Sequence, residues 1–497
     1  MLAATAGRAE RRGPDLAEVV ARSYATQHEE LTDVPLRLVE GAVPEGLRGV
    51  LYRNGPGTLE AHGIRYQHPF DGDGMIRRYA FGPGGEVRYT NRFVATRERH
   101  EESRAGRMMY RAFGTNLPGG LRRNGLRMRF KNAANTSLVH HAGLLLALWE
   151  GGLPHALDDA TLETRGRHDY AGALRAKDPV GRLLSPELPF SAHPSVCPMT
   201  GELFNFGTVP GRENTLLVHR VSPSGELTTT RHALPRMPFV HDMALTRRWL
   251  VFFLTPVRFD VARALLGLST PVEAIRQDPG VPTDVLCIPR SGGPPAWLQG
   301  PPCFVFHHAG AYDLPDGRVV VCSYRMDGFA GGAVDVQDAS QLREWPYPDA
   351  RLTRYVLDPA RLRVTETRLH GRPGELPTTD PRTATEPYRV VWAGVKPEGN
   401  RGPVPTALAR YDLPPLDAEA GARETFRDFT PDLPGEPLFV PRDPAAREGE
   451  GWLLSVMYRA REHRSDLVIL DATSLATVAR LALPHHVPPG FHGIWVG

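Results

Sequence analysis

Cysteine is scarce: the 497-residue chain has four, at positions 197, 287, 303 and 322, with no CxxC spacing. That suggests neither a disulfide framework nor a thiolate metal site, and isolated buried thiols in a reducing compartment are expected. Long apolar runs are missing too. No segment approaches the ~18 apolar residues that a spanning helix needs, and the opening stretch MLAATAGRAERRGP lacks the apolar core of a secretory signal. A cytoplasmic protein is expected. Charge of one sign is not in excess: 59 Lys and Arg stand against 56 Asp and Glu, so no basic field draws nucleic acid. Neither a Gly-rich dinucleotide fingerprint nor an HExxH helix occurs, which argues against a nucleotide redox cofactor and against a helical zinc site. Helical periodicity is confined to Asp15–Tyr24 and Val261–Ile275.

What the chain does have is short apolar runs closed by turns. Met75–Phe81 ends at Gly82-Pro83-Gly84-Gly85, and Leu216–Val221 ends at Ser222-Pro223-Ser224-Gly225. Val87–Val94, Leu144–Trp149, Leu203–Phe206, Trp249–Leu254, Val319–Tyr324, Trp452–Tyr458 and Leu467–Leu470 follow the same pattern. Runs of four to eight residues rich in Val, Phe, Tyr and Leu, separated by Gly and Pro, are strands. The chain is therefore expected to be all-β. It is too long for one sandwich, and a β-propeller accommodates it by radial repetition. Seven blades leave about 71 residues each, room for four strands and generous loops. No sequence repeat of the WD40 or kelch kind is visible. Residues 1–30 are expected as an N-terminal extension, partly helical or mobile, and 31–497 as a single propeller domain.

Four of the nineteen histidines stand out by their settings. His193 sits in Ser-Ala-His-Pro, His241 in Phe-Val-His-Asp-Met, His307 in Cys-Phe-Val-Phe-His-His, and His492 in Pro-Pro-Gly-Phe-His-Gly-Ile-Trp. Each adjoins an apolar or aromatic run, and a buried imidazole needs a partner. Spacings of 48, 66 and 185 residues suit a propeller, whose separate blades each aim a side chain at the axis. A structural role remains the alternative for any one of them.

Further segments occur in a set order. They are Leu-Tyr-Arg-Asn-Gly-Pro (51–56), His-Pro-Phe-Asp-Gly-Asp-Gly-Met (68–75), Ala-Asn-Thr (134–136) and Leu-Ala-Leu-Trp-Glu-Gly-Gly-Leu-Pro-His (146–155). After the first three histidine settings come Glu-Leu-Pro-Thr-Thr-Asp-Pro-Arg (375–382), Gly-Glu-Pro-Leu-Phe-Val-Pro (435–441) and the final Phe-His-Gly. Together they resemble the carotenoid cleavage oxygenase family, also called the retinal pigment epithelial membrane protein family, from about Leu51 to Gly497. Tyr110–Gly120 and Lys131–Gly166 resemble its bacterial apocarotenoid oxygenases. The resemblance implies a seven-bladed β-propeller with a helical and loop cap over an axial Fe(2+) held by His193, His241, His307 and His492. It implies that Glu150, Glu375 and Glu436 accept bonds from three of those rings and so set their orientation. Where the family has Asn after the His-His-Ala, this chain has Gly310, with Asp313 three residues further on.

The implied activity is that of a dioxygenase: O2 cleaves a conjugated C=C bond of a carotenoid or apocarotenoid to two carbonyl products, one a retinal-type aldehyde. Thr136 is implied beside the open face of the metal, and Phe70, Phe113, Trp149 and Phe306 are candidate walls of a tunnel for a hydrophobic polyene. Stilbene-cleaving members tend to carry Lys where Trp149 stands, so the indole favours a polyene over a lignostilbene-type substrate. A non-catalytic propeller scaffold is the alternative of another class. Carotenoids dissolve in bilayers, and Val261, Leu265, Leu266 and Leu268, with Leu121 and Leu126 among arginines, form a candidate apolar patch for peripheral membrane attachment. The patch also takes in Met128 beside Arg127. Asp71 and Asp73 read as a hairpin turn and not as calcium ligands.

Overall fold

The computed structural model describes residues 15–126, 129–177, 186–278, 280–329, 332–345, 349–400, 402–418 and 420–497. Met75–Phe81 and Trp249–Leu254 are strands with the bounds read from sequence, and the other apolar runs form strands one to four residues longer or shorter. They assemble into seven blades around an axis, as in the propellers to which the chain is similar. Blade two (Ser137–His141, Leu144–Leu148, His155–Leu157, Thr164–Arg167) and blade three (Ser195–Val196, Leu203–Val209, Asn214–Val221, Leu227–Leu234) are plain antiparallel sheets of four. Within a blade, strands near the axis are covered on both faces, and outer strands face water on one. In blade three, Leu203–Val209 is therefore buried over its first five residues, whereas Leu227–Leu234 alternates with exposed Thr and Arg.

Blades stack face to face through aromatic contacts. Phe206 of blade three meets Phe252 of blade four edge-on at 5.4 Å, and Trp392 of blade six stacks on Phe439 of blade seven at 4.5 Å. Blades four and five are bridged by a single parallel pair, Gln299 with Arg363. Blades five and six share the long strand Arg363–Thr378.

Both chain ends close the ring. Gly493–Val496 pairs with Gly49–Arg53 in blade one, while Arg37–Gly41 adds the outer strand to Thr477–Ala482 of blade seven. Leu31–Pro35, one residue before that outer strand, pairs with Val87–Phe93 of blade one, so the N-terminal segment stitches first and last blades together.

The expected N-terminal helix is Leu16–Ser23, with Asp15 accepting from the Ala17 amide at its start. Its apolar face, Val19 and Val20, packs with Leu342, Leu433 and Tyr458. The second expected helix is corrected. Only Val261–Leu265 is α-helical; Gly267, at φ +69°, and Pro271 break the run, and Ile275–Gln277 is a strand. Loops join over the axial end as a cap: Leu126 bonds to Leu265, Val272 to Phe113, and Val334 to Gln67.

The hairpin expected at Asp71-Gly-Asp-Gly is absent. Asp71 ends a short helical turn, Pro69–Asp71, and is buried, accepting from the Gly114 amide and the Thr115 hydroxyl. Asp73 pairs with buried Lys131 at 2.9 Å. Gly74 is required there, because a Cβ would stand 2.3 Å from the Ala134 carbonyl oxygen. All four cysteines are free and buried, as the sequence implies.

Candidate metal centre

Each of the seven blades contributes a residue to the site, five of them just before an inner strand and two within one. His492 immediately precedes Gly493–Val496 and Thr136 immediately precedes Ser137–His141. His193 lies two residues before Ser195–Val196, His241 three before Ala244–Leu245, and Glu436 two before Leu438–Pro441. His307 and Glu375 lie within Phe304–Asp313 and Arg363–Thr378, both at bulges where the ladder shifts register. A bulge re-aims side chains out of the pleat. Beside Glu375, Leu376 takes φ +56°, and its amide donates to the Glu375 carboxylate at 2.7 Å.

One ring nitrogen from each of His193, His241, His307 and His492 falls within a group no wider than 4.8 Å. Ring centroids are 4.3 to 5.3 Å apart across the cluster. His308 turns the other way, to the Ser323 hydroxyl at 2.7 Å. Where the family's Asn is replaced by Gly310, the Tyr388 ring takes the space: a Cβ would sit 2.9 Å from it, and its hydroxyl donates to the Gly310 carbonyl.

The outer side of the cluster is tied by carboxylates. Nδ1 of His307 lies 2.6 Å from Glu375, and Nδ1 of His492 lies 2.8 Å from Glu436. Nδ1 of His241 is 3.2 Å from Glu150, within ion-pair distance but not aligned as a hydrogen bond. Glu436 also accepts from Arg53 and from the Gly493 amide at 3.0 Å. Burial and neighbouring imidazoles hold His193 and His241 well below the ordinary histidine pKa. Burial also lowers His492, with Glu436 opposing. For His307, burial pulls down but Glu375 and the nearby acids outweigh it, so its pKa is raised. Burial, with Asp242 beside it, raises Glu150, whereas in Glu436 burial is overcome by Arg53 and His492 and the pKa falls.

This donor set fits a divalent cation. Nε2 of both His193 and His307 is buried with no hydrogen-bond partner. Neutral imidazoles suit iron, copper, nickel or zinc. Bonds of about 2.1 Å to one ion separate ligands by at most about 4.2 Å, so the observed spread closes with shifts below an ångström.

The rings of His241, His307 and His492 open into a cavity of about 260 Å³. Of the candidate wall residues, Thr136, Phe70, Phe113 and Phe306 line it. Thr136 accepts from the His492 amide through its carbonyl at 3.1 Å and donates its hydroxyl to Asn135. Trp149 does not line it; the indole lies over Gly151 and Gly152, where added Cβ atoms would be 3.0 and 3.2 Å from the ring. Phe239 and Phe329 complete the wall: Phe239 stacks with Phe113 at 6.4 Å and meets Phe329 at a tilt at 6.0 Å. Phe239, two residues before His241, lies in the loop between Leu227–Leu234 and Ala244–Leu245, so no strand alternation marks it. Phe329, also in a loop, carries no such signal either.

The two loops of the candidate patch meet through the bond between the Leu126 amide and the Leu265 carbonyl. Leu121, Leu126, Leu266 and Leu268 are 54, 79, 49 and 54% exposed, and Leu265 is half-buried. The Val261 side chain, with Arg127 and Met128, lies outside the described residues. Among the described residues no helix is long and apolar enough to cross a membrane.

A seven-bladed propeller that gathers four imidazoles, with carboxylates behind three of them, at one axial point is the architecture of a metal-dependent oxygenase. The family described as retinal pigment epithelial membrane protein matches residues 24–497, and the chain belongs to this family, the carotenoid cleavage oxygenases. It is 35% identical to the apocarotenoid-15,15'-oxygenase of Synechocystis, over 95% of each chain. It is 31% identical to the isoeugenol monooxygenase of Pseudomonas nitroreducens, over 92% of this chain and 94% of that one. The solved structure of the cobalt-substituted Synechocystis oxygenase superimposes with a TM-score of 0.87 at 34% identity, covering 97% of this chain and 98% of the other. The protein is thus an oxidoreductase that incorporates O2. Members of the family use Fe(2+), and the four-histidine cluster is the group that could hold it.

Proposed function

We propose that this protein cleaves a conjugated double bond of an apocarotenoid to two carbonyl products, using Fe(2+) held by His193, His241, His307 and His492. The observation that carries this reading is the convergence of four imidazoles on one point at the wall of a phenyl-lined cavity. The bound ion would supply electron density to dioxygen for attack on an electron-rich alkene. Glu150, Glu375 and Glu436 hold three of the rings in one orientation and offset the charge that four neutral ligands leave uncompensated. Phe70, Phe113, Phe239, Phe306 and Phe329 exclude water and give a flat conjugated chain faces to lie against. Thr136, between the His492 amide and the cavity, shapes access beside that ring.

Trp149 is off the cavity wall, so the choice of polyene rests on the phenyl lining and on the likeness to an apocarotenoid oxygenase. The likeness to an isoeugenol monooxygenase supports a second reading, a phenolic alkene such as a stilbene. Purified iron-loaded protein given an apocarotenal under air should form two carbonyl products, identified by mass. Turnover of phenolic alkenes alone would favour the second reading; no oxygen-dependent cleavage of either would refute both. Leu121, Leu126, Leu266 and Leu268 are proposed to rest on a bilayer from which the polyene is drawn.

A further inference from the structure

Arg77 lines the same cavity and takes no part in holding the imidazoles or their carboxylates. Its side chain is among the largest fully buried ones, at 1% exposure, yet among the described residues no carboxylate comes within ion-pair reach. Two guanidinium nitrogens donate to main-chain carbonyls, Met75 at 3.3 Å and Pro56 at 3.0 Å, the phenol of Tyr89 lies beside the guanidinium, and Nε has no aligned hydrogen-bond partner. The rings of Tyr79 and Tyr89 lie 5.1 Å apart, with both phenols buried beside the guanidinium; they are neutral neighbours and supply no counter-ion. Glu29, an exposed acid near Tyr89, makes no ion pair with Arg77.

Register places Arg77 directly opposite Arg53, and Arg53 opposite Gly493. Two guanidiniums thus stand side by side on one face, a repulsive pairing. Arg53 is neutralised by Glu436; Arg77 is not. Cross-strand spacing puts Arg77 roughly 10 Å from the residue that follows His492. A buried cation without a counter-ion is costly, and a planar guanidinium matches a carboxylate with two parallel bonds, an aldehyde oxygen less well, and a hydrocarbon not at all.

We infer that Arg77 anchors the oxygen-bearing end of the substrate, and that the preferred substrate is a conjugated polyene ending in a carboxylate. This rests on the polyene reading of the cavity and adds the chemistry of the chain's end. The polyene lies against the phenyl wall while its acid terminus reaches Arg77 past Pro489 and Gly490.

The test is anaerobic binding to the iron-loaded protein, followed by quenching of tryptophan fluorescence, with an apocarotenoic acid, its aldehyde and a polyene hydrocarbon of equal length. The acid should bind at least about tenfold more tightly than the hydrocarbon, the scale of a hydrogen bond to a charged group. Arg77→Met should weaken acid binding by about tenfold and leave the hydrocarbon within about twofold. Arg77→Lys, which keeps the charge but loses the fork, should retain part of the preference and covers the case in which the methionine variant does not fold. Equal affinity of wild type for acid and hydrocarbon would overturn the inference. So would an unchanged ratio in a folded Arg77→Met, or in Arg77→Lys where that variant alone folds. Because no turnover is needed, failure of cleavage under air counts against the proposed reaction and not against this anchor.

Discussion

Truncating Glu436 tests how the site is built into the fold. Its carboxylate accepts from His492 Nδ1 at 2.8 Å, from the Gly493 amide at 3.0 Å and from Arg53. The Arg53 and Glu436 side chains are 6 and 12% exposed. Glu436→Ala leaves the Arg53 guanidinium buried without a counter-ion, a loss of about 3–5 kcal/mol for breaking a buried pair from one side. It also frees the His492 ring, and loss of such an orienting partner lowers metal affinity about 10–100-fold. The double variant Arg53→Met with Glu436→Gln leaves no unpaired charge and should be more stable than Glu436→Ala alone, although it removes more groups. Equilibrium denaturation of the chelated protein reads the first effect, and titration with Fe(2+) or Co(2+) reads the second. A Glu436→Ala protein within about 0.5 kcal/mol of wild type, as for a surface change, or one with unaltered metal affinity, would refute the reasoning.

His241→Ala should purify folded, with an unchanged circular dichroism spectrum, but without stoichiometric iron by elemental analysis. Phe239→Leu, which removes the ring between Phe113 and Phe329, should raise KM for a polyene more than it lowers kcat; steady-state kinetics would show this. Leu126→Asp with Leu268→Asp removes two exposed apolar side chains, each able to contribute about 1.5–3 kcal/mol when buried. Co-sedimentation with anionic vesicles should fall by at least about tenfold, with cleavage of detergent-dispersed substrate unchanged.

Strand positions were legible because they depend on local composition: an apolar run such as Trp249–Leu254 between turn residues has few other conformations open to it. The helical reading of Val261–Ile275 failed at Gly267, whose left-handed backbone ends the helix whatever the apolar spacing beyond it. The Asp71-Gly-Asp-Gly segment failed differently. Its turn chemistry is real, but Thr115, Gly114 and Lys131 draw both carboxylates inward. Trp149 shows the limit of placing a wall residue by its neighbour: adjacent to Glu150, it still lies over two glycines and away from the cavity.

The all-strand character and the four histidine settings are written in contiguous residues, whereas the three glutamates entered only as what the family resemblance implies. Tertiary structure decided what no local window holds. The two chain ends close the ring, residues up to 299 positions apart meet at one point (His193 and His492), and Arg77 is buried facing Arg53 with no acid between them. The physical reason is that side-chain direction at the axis is set by how blades stack and where their strands bulge, and those are properties of the closed ring.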